Sequence, residues 1–168
     1  MFRQFSNISR VINHLRPTIS NNNILLRNNN IINNIRNITY YTHTHEFINY
    51  QDDSKNVELG ITSYAKNSLG EILFIEREFE INDIVEVEDE VITLESTKAT
   101  GVLSTPIEGE IIKYNEDLFN DLDKYNNIEV KTENEYWLVK IQLDDVLDTT
   151  ELLCLDEYNN YINSLNTD

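Results

Sequence analysis

A single cysteine, Cys154, excludes any intrachain disulfide, so the fold must rest on a packed core. No stretch approaches the ~18 uninterrupted apolar residues that a membrane-crossing helix needs. Positive charge is scarce: 13 Lys and Arg stand against 30 Asp and Glu, a formal charge of −17. Phosphate backbones and anionic headgroups are repelled by such a surface, which sets aside nucleic acid and membranes as partners. With only four Gly and two Pro, and with 40% hydrophobic residues, the chain has the apolar material for a core that a disordered acidic polymer lacks. Its 168 residues leave room for one soluble domain and a tail.

Acidic residues are missing altogether from residues 1–45, which carry Arg3, Arg10, Arg16, Arg27 and Arg36. The remainder holds eight basic residues against thirty acidic ones, a charge of −22. Phe2, Phe5, Ile8, Val11, Ile12 and Leu15 recur at helical spacing among the first arginines. A cationic, acid-free, amphipathic start of this kind is the composition of a mitochondrial transit peptide, drawn inward by the membrane potential. The expectation is a leader over residues 1–39, cut before Tyr40, a domain over 40–168 and a mitochondrial matrix location. The alternative is a low-complexity tail, given the runs Asn21–Asn23 and Asn28–Asn30.

From Tyr40 the pattern turns to short strands. Phe47–Tyr50 and Val57–Ile61 flank a polar turn and predict a hairpin. Thr62 is placed to cap a brief helix ending at Leu69, with Gly70 supplying the left-handed residue. Further β-branched or aromatic runs predict strands at Glu71–Glu76, Ile84–Val87, Val91–Leu94, Val102–Ser104, Glu110–Tyr114 and Tyr136–Gln142. Asp148 with Glu151 three residues on predicts a capping box for a last helix that presents Leu155, Tyr158, Ile162 and Leu165 on one face. Gly70-Glu71-Ile72-Leu73 returns as Gly109-Glu110-Ile111-Ile112, a hint of two similar half-units. The fold class is mainly β.

Lys98 lies midway between the apolar runs at Val91–Leu94 and Val102–Ser104. If these pair as a hairpin, the amine stands at its exposed tip, within reach of a modifying enzyme. A turn lysine that merely solvates the loop is the alternative, and local sequence leaves both open.

Glu95-Ser96-Thr97-Lys98-Ala99 resembles the lipoylation motif of the glycine cleavage system H protein family. His45-Glu46-Phe47, Gly60-Ile61-Thr62-Ser63-Tyr64-Ala65 with Leu69-Gly70, Thr105-Pro106 through Gly109-Glu110, Asn115 with Leu118, and Trp137-Leu138-Val139-Lys140-Ile141 follow in the family's order. The resemblance spans nearly all of residues 40–165. It implies a lipoyl-domain-like barrel-sandwich hybrid with short peripheral helices and a C-terminal helix. It also implies lipoic acid held as an amide on Lys98, and a cleft in which Thr44 and Glu46 face the loaded amine. The implied role is that of a carrier and not an enzyme, working as a monomer. Its partners would be glycine decarboxylase, aminomethyltransferase, dihydrolipoyl dehydrogenase and a lipoyl-attaching enzyme.

Three departures stand out. Val102 occupies the place of an acidic residue that faces the amine in the family, Phe47 replaces a tryptophan, and residues 120–135 lack the family's turn before Trp137. A divergent paralogue serving as lipoyl donor or non-catalytic partner is the alternative that Val102 motivates. A biotin carrier is disfavoured, because Thr97 and Ala99 flank Lys98 where methionines would be expected.

Other candidates are weaker. His43, His45 and Glu46 have spacing that zinc can use, without the ligands to complete a tetrahedron. Asp121, Asp123, Asn127 and Glu129 faintly suggest a calcium loop but lack its central glycine. Cys154, among Leu152, Leu153 and Leu155, predicts a buried helix position. Glu86, Glu88, Asp89 and Glu90 predict a solvated face that steers the protein toward basic clefts.

Overall fold

The computed structural model describes residues 37–51, 54–128 and 135–166. The leader reading falls outside them, except at Asn37–Thr39. Those three residues begin a strand, β1 (Asn37–Tyr41), that pairs antiparallel with β2 (Glu46–Gln51). β2 in turn pairs with β3 (Asn56–Ile61), which is the expected hairpin. In β3, Val57, Leu59 and Ile61 are buried, while Asn56 and Glu58 alternate with them. Gly60 is required here by a close approach: a Cβ would stand 2.7 Å from Cζ of Phe47, whose ring lies edge-on to Tyr136.

Thr62 caps α1 (Ser63–Leu69), its hydroxyl accepting the Ala65 N–H, and Gly70 ends the helix with φ +83°. The remaining strands are β4 (Ile72–Arg77), β5 (Ile84–Val85), β6 (Glu90–Ser96), β7 (Thr100–Ser104), β8 (Gly109–Tyr114) and β9 (Val139–Gln142). One sheet has the order β1-β2-β3-β9-β8-β5 and the other β4-β6-β7. A single hydrophobic core draws Phe47, Ile48 and Ile111 from the first and Ile72, Leu94 and Leu103 from the second. The repeated Gly-Glu-Ile opens one strand in each sheet, β4 and β8, and buries Ile72 and Ile111 alike. At Gly109 a Cβ would meet the Gln142 carbonyl oxygen at 2.4 Å, so only glycine lets β8 approach β9.

Two short helices, α2 (Glu116–Phe119) and α3 (Leu122–Asn127), fall where sequence patterning placed no element. Asn126 on α3 stands in for a neighbouring strand: its amide accepts the Ile72 N–H and donates to the Ile72 carbonyl, both at 2.9 Å.

The last helix, α4 (Leu155–Leu165), starts later than expected. Leu153 exchanges two backbone hydrogen bonds with Tyr41, so the chain is still extended there and Asp148 cannot open a helix. Asp148 instead accepts from the N–H and hydroxyl of Thr150, and the cap falls at Cys154, whose N–H donates to the Glu157 carboxylate at 2.8 Å. Cys154 is therefore exposed rather than buried. The inward face also differs. Tyr158 is buried and its ring stacks on Tyr41 at 4.6 Å, whereas Leu155 and Leu165 face solvent.

Candidate functional site

Lys98 sits at the apex of the β6–β7 hairpin, whose last paired residues are Glu95 and Thr100. Ser96 staples the apex. Its hydroxyl accepts the Lys98 and Ala99 N–H groups at 3.2 and 3.0 Å and donates to the Ala99 carbonyl at 2.7 Å. The Ser96 N–H closes the turn on that same carbonyl, and the Thr97 N–H donates to the Glu71 carbonyl. The turn is thus fixed from inside and tied to β4. Lys98 itself is exposed, and its amine has no hydrogen-bond or ion-pair partner among the described residues.

Under the hairpin lies the end of α1. A Cβ on Gly101 would meet Leu69 at 2.8 Å, and one on Gly70 would meet Lys98 Cε at 3.2 Å. The lysine stem therefore runs across a glycine that gives it room. α1 is held from the other side by Lys66, a buried residue whose amine donates to the Asn126 carbonyl and lies 5.2 Å from the Tyr125 ring. Burial holds its pKa below the usual lysine value.

At the opposite end of α1 the Thr62 N–H donates to the His45 carbonyl at 2.8 Å. Here the structure brings Thr44 and Glu46 together: the Thr44 hydroxyl donates to Glu46 Oε2 at 2.5 Å, and the Thr42 hydroxyl donates to the same oxygen. Glu46 is buried, 3% exposed. Thr44 is exposed and covers it. α1, seven residues rising ~1.5 Å each, is about 10 Å long, with the His45 carbonyl bonded at its start and the Lys98 stem beside Gly70 at its end.

The intervening His45 has φ +75°. Its Nδ1 lies 2.9 Å from the Tyr158 hydroxyl, which lies 2.7 Å from Thr62 Oγ1. Tyr64 and Tyr161 pack on the imidazole at centroid distances of 4.6 and 5.7 Å. Burial holds the His45 pKa below its ordinary value, against the opposing pull of the Glu46 carboxylate, and His43 adds to the lowering. His43 turns edge-on to Tyr161. The two imidazoles thus serve an aromatic cluster, and no group of three or more metal-ligating side chains occurs among the described residues. Tyr158, Tyr161 and Thr62 were not singled out as site residues from sequence. The only trace of the first two is their i, i+3 spacing on α4.

Val102 is 37% exposed and pairs with Thr93 across the hairpin. Asp89 is half-buried and its carboxylate accepts the Glu86 N–H, so one member of that acidic run shapes a turn while Glu86, Glu88 and Glu90 are solvated. Asp121 caps α3 by accepting the Lys124 N–H, and Glu129 lies outside the described residues.

The family model described as "Glycine cleavage H-protein" matches residues 39–165. The glycine cleavage system H protein of Psychrobacter cryohalolentis is 34% identical over 120 residues, covering 71% of this chain and 91% of that protein. That of Dinoroseobacter shibae is 38% identical over 120 residues, covering 71% and 93%. The crystal structure of a glycine cleavage system H protein from Mycobacterium marinum superimposes with a TM-score of 0.63 at 27% identity, covering 77% of this chain and 99% of that one. The two-sheet architecture and the C-terminal helix share this fold.

Proposed function

The chain belongs to the glycine cleavage H-protein family, and from that premise we propose that it carries lipoic acid as an amide on Lys98 and works as a mobile carrier in glycine cleavage. The observation that supports this most directly is the Lys98 amine itself, exposed at a stapled apex and without a partner among the described residues. A bulky acyl group attached there meets no wall. Gly70 leaves space beside the stem, and Ser96 keeps the turn from collapsing under a modifying enzyme.

Bound there, a lipoyl group would supply the disulfide and dithiol chemistry by which an aminomethyl group passes from glycine decarboxylase to aminomethyltransferase, with dihydrolipoyl dehydrogenase restoring the disulfide. The chain contributes presentation, reach and shelter. A lysine so extended spans roughly 14 Å from its α-carbon, longer than α1 itself at about 10 Å, whose far end is tied to the His45 carbonyl between Thr44 and Glu46. Glu46 offers a charge-assisted hydrogen bond to an amine arriving there, with Thr44 as the hydroxyl that must give way. The acidic body steers the carrier toward basic clefts of its partners. It needs no nucleophile or base of its own.

The reading extends to a mitochondrial matrix location, supported by the arginines and absent acids of residues 1–39. N-terminal sequencing of the protein from its own cells tests this, and an uncut Met1 would overturn it.

A divergent lipoyl donor is the second reading, favoured by Val102 where an amine-facing acid would stand. The mass of the peptide spanning Lys98, with and without reductant, combined with exchange of labelled bicarbonate into glycine by glycine decarboxylase, separates the two. Adduct and exchange support the carrier, adduct without exchange supports the donor, and no adduct overturns both.

A further inference from the structure

The loop from β1 to β2, Thr42–His45, ends in a backbone conformation that favours glycine or asparagine, yet histidine occupies it. Non-glycine residues persist at such angles where surrounding contacts over-determine them. At His45 those contacts come from two other elements. Tyr158 of α4 meets Nδ1, Thr62 at the α1 cap meets both the Tyr158 hydroxyl and the His45 carbonyl, and the rings of Tyr64 and Tyr161 enclose the imidazole. In the Nε2–H tautomer of the neutral imidazole the donors run in one direction: the Thr62 hydroxyl to Tyr158, and the Tyr158 hydroxyl to Nδ1. Thr62 Oγ1 keeps its lone pair for the Ala65 N–H. The residue on one side of His45 is Thr44 and on the other Glu46, and the Glu46 N–H is itself fixed by Thr42 Oγ1 at 2.9 Å.

We propose that His45 and Tyr158 are positioning residues: the C-terminal helix, through the Tyr158 hydroxyl, holds the β1–β2 loop so that Thr44 and Glu46 stay aimed at the arm's cargo, and this sets how long a loaded arm resists hydrolysis away from its partners. The inference rests on the carrier reading above. Neither residue touches the cargo. They act by fixing the backbone between two residues that do. Loss of the cargo is a hydrolysis in which water adds to the aminomethyl carbon, the carbon–sulfur bond breaks, and formaldehyde, ammonia and the free thiol result, with no change in oxidation state.

The test uses the full lipoylated protein, charged with labelled glycine by glycine decarboxylase, freed of that enzyme and followed for release of labelled formaldehyde. Tyr158→Phe is expected to release label about five-fold faster while the Lys98 adduct mass stays unchanged. His45→Gly relieves the backbone but removes the acceptor, and is expected to match Tyr158→Phe. His45→Asn tolerates the left-handed backbone and offers an amide oxygen to Tyr158, and is expected to return release to near the parent rate. Asn160→Ala, on the exposed side of α4, leaves the rate unchanged. Equal release from His45→Gly and the parent overturns the proposal while leaving the carrier reading intact, and this pair decides the matter even if Tyr158→Phe fails to fold. A parent protein that bears the adduct but takes no label overturns both.

Discussion

The stem of Lys98 lies across Gly70 so closely that a Cβ there would stand 3.2 Å from Cε and 3.5 Å from Nζ. Gly70 also carries φ +83°, which strains any other residue. Gly70→Ala is therefore expected to cost about 1–2 kcal/mol in urea unfolding. It should also displace the lysine, slowing transfer of a lipoyl group by the attaching enzyme several-fold, measured as the rate of mass gain at Lys98. A variant that unfolds earlier yet is modified at the parent rate would separate helix termination from lysine presentation.

Restoring an acid at Val102 should improve cargo retention. Val102 is partly exposed and opposite Thr93, so Val102→Asp fills no core space and is expected to change stability by no more than about 0.5 kcal/mol. Release of labelled formaldehyde from the charged protein should slow. An unchanged rate would mean that position 102 does not face the amine in this chain.

Gly60→Ala tests the packing beneath β2. The added methyl would lie 2.7 and 2.8 Å from two carbons of the Phe47 ring and 3.3 Å from the Tyr136 carbonyl oxygen. Phe47 is fully buried and cannot swing away, so a loss of about 1–3 kcal/mol is expected from the denaturant midpoint.

Tyr125 presents the opposite case. Its hydroxyl is buried with no hydrogen-bond partner among the described residues, while its ring receives the Lys66 ammonium. Tyr125→Phe keeps the ring and removes the unpaired hydroxyl, so stability should hold or rise by up to about 1 kcal/mol. A loss beyond 1 kcal/mol would reveal that the hydroxyl is used.

Alkaline stability follows from Tyr114. Burial pushes its phenol up to about 12, the Arg77 guanidinium beside it pulls the other way, and Glu80 and Asp83 add to the rise. In the unfolded chain the phenol titrates near ~10. Between these values the unfolded state gives up its proton first, so stability falls as pH rises from about 10 toward about 12. The phenol also donates to the Phe79 carbonyl at 2.8 Å, a bond that ionisation abolishes. Urea midpoints measured from pH 8 upward should decline, with a shallower decline in Tyr114→Phe.

Sequence pattern located the strands and the hairpin because their periodicity is local: Val57, Leu59 and Ile61 announce a buried face without reference to anything distant. The apex lysine was legible for the same reason, lying midway between two apolar runs. What escaped depended on pairing across the chain. The start of α4 is set by the bridge from Leu153 to Tyr41, so a good local capping pattern at Asp148 and Glu151 lost to a long-range strand contact. β1 was hidden in an asparagine-rich segment whose composition argues for a tail, and it forms because β2 offers it an open edge. His45 read as a possible metal ligand since spacing cannot reveal that Tyr158, 113 positions later, would claim its nitrogen.

The Tyr41–Leu153 bridge carries one more implication. β1 is the outermost strand of its sheet, and Leu153 and α4 lie against it. The two ends of the folded body are thereby buttoned to each other and should open as one cooperative unit, their amides exchanging with solvent together. Unbuttoning at the carboxyl end would lift β1 away and bare the hydrogen-bonding edge of β2, a rim to which a foreign strand can add. The Tyr41–Leu153 bridge thus helps to keep β1 seated over that rim.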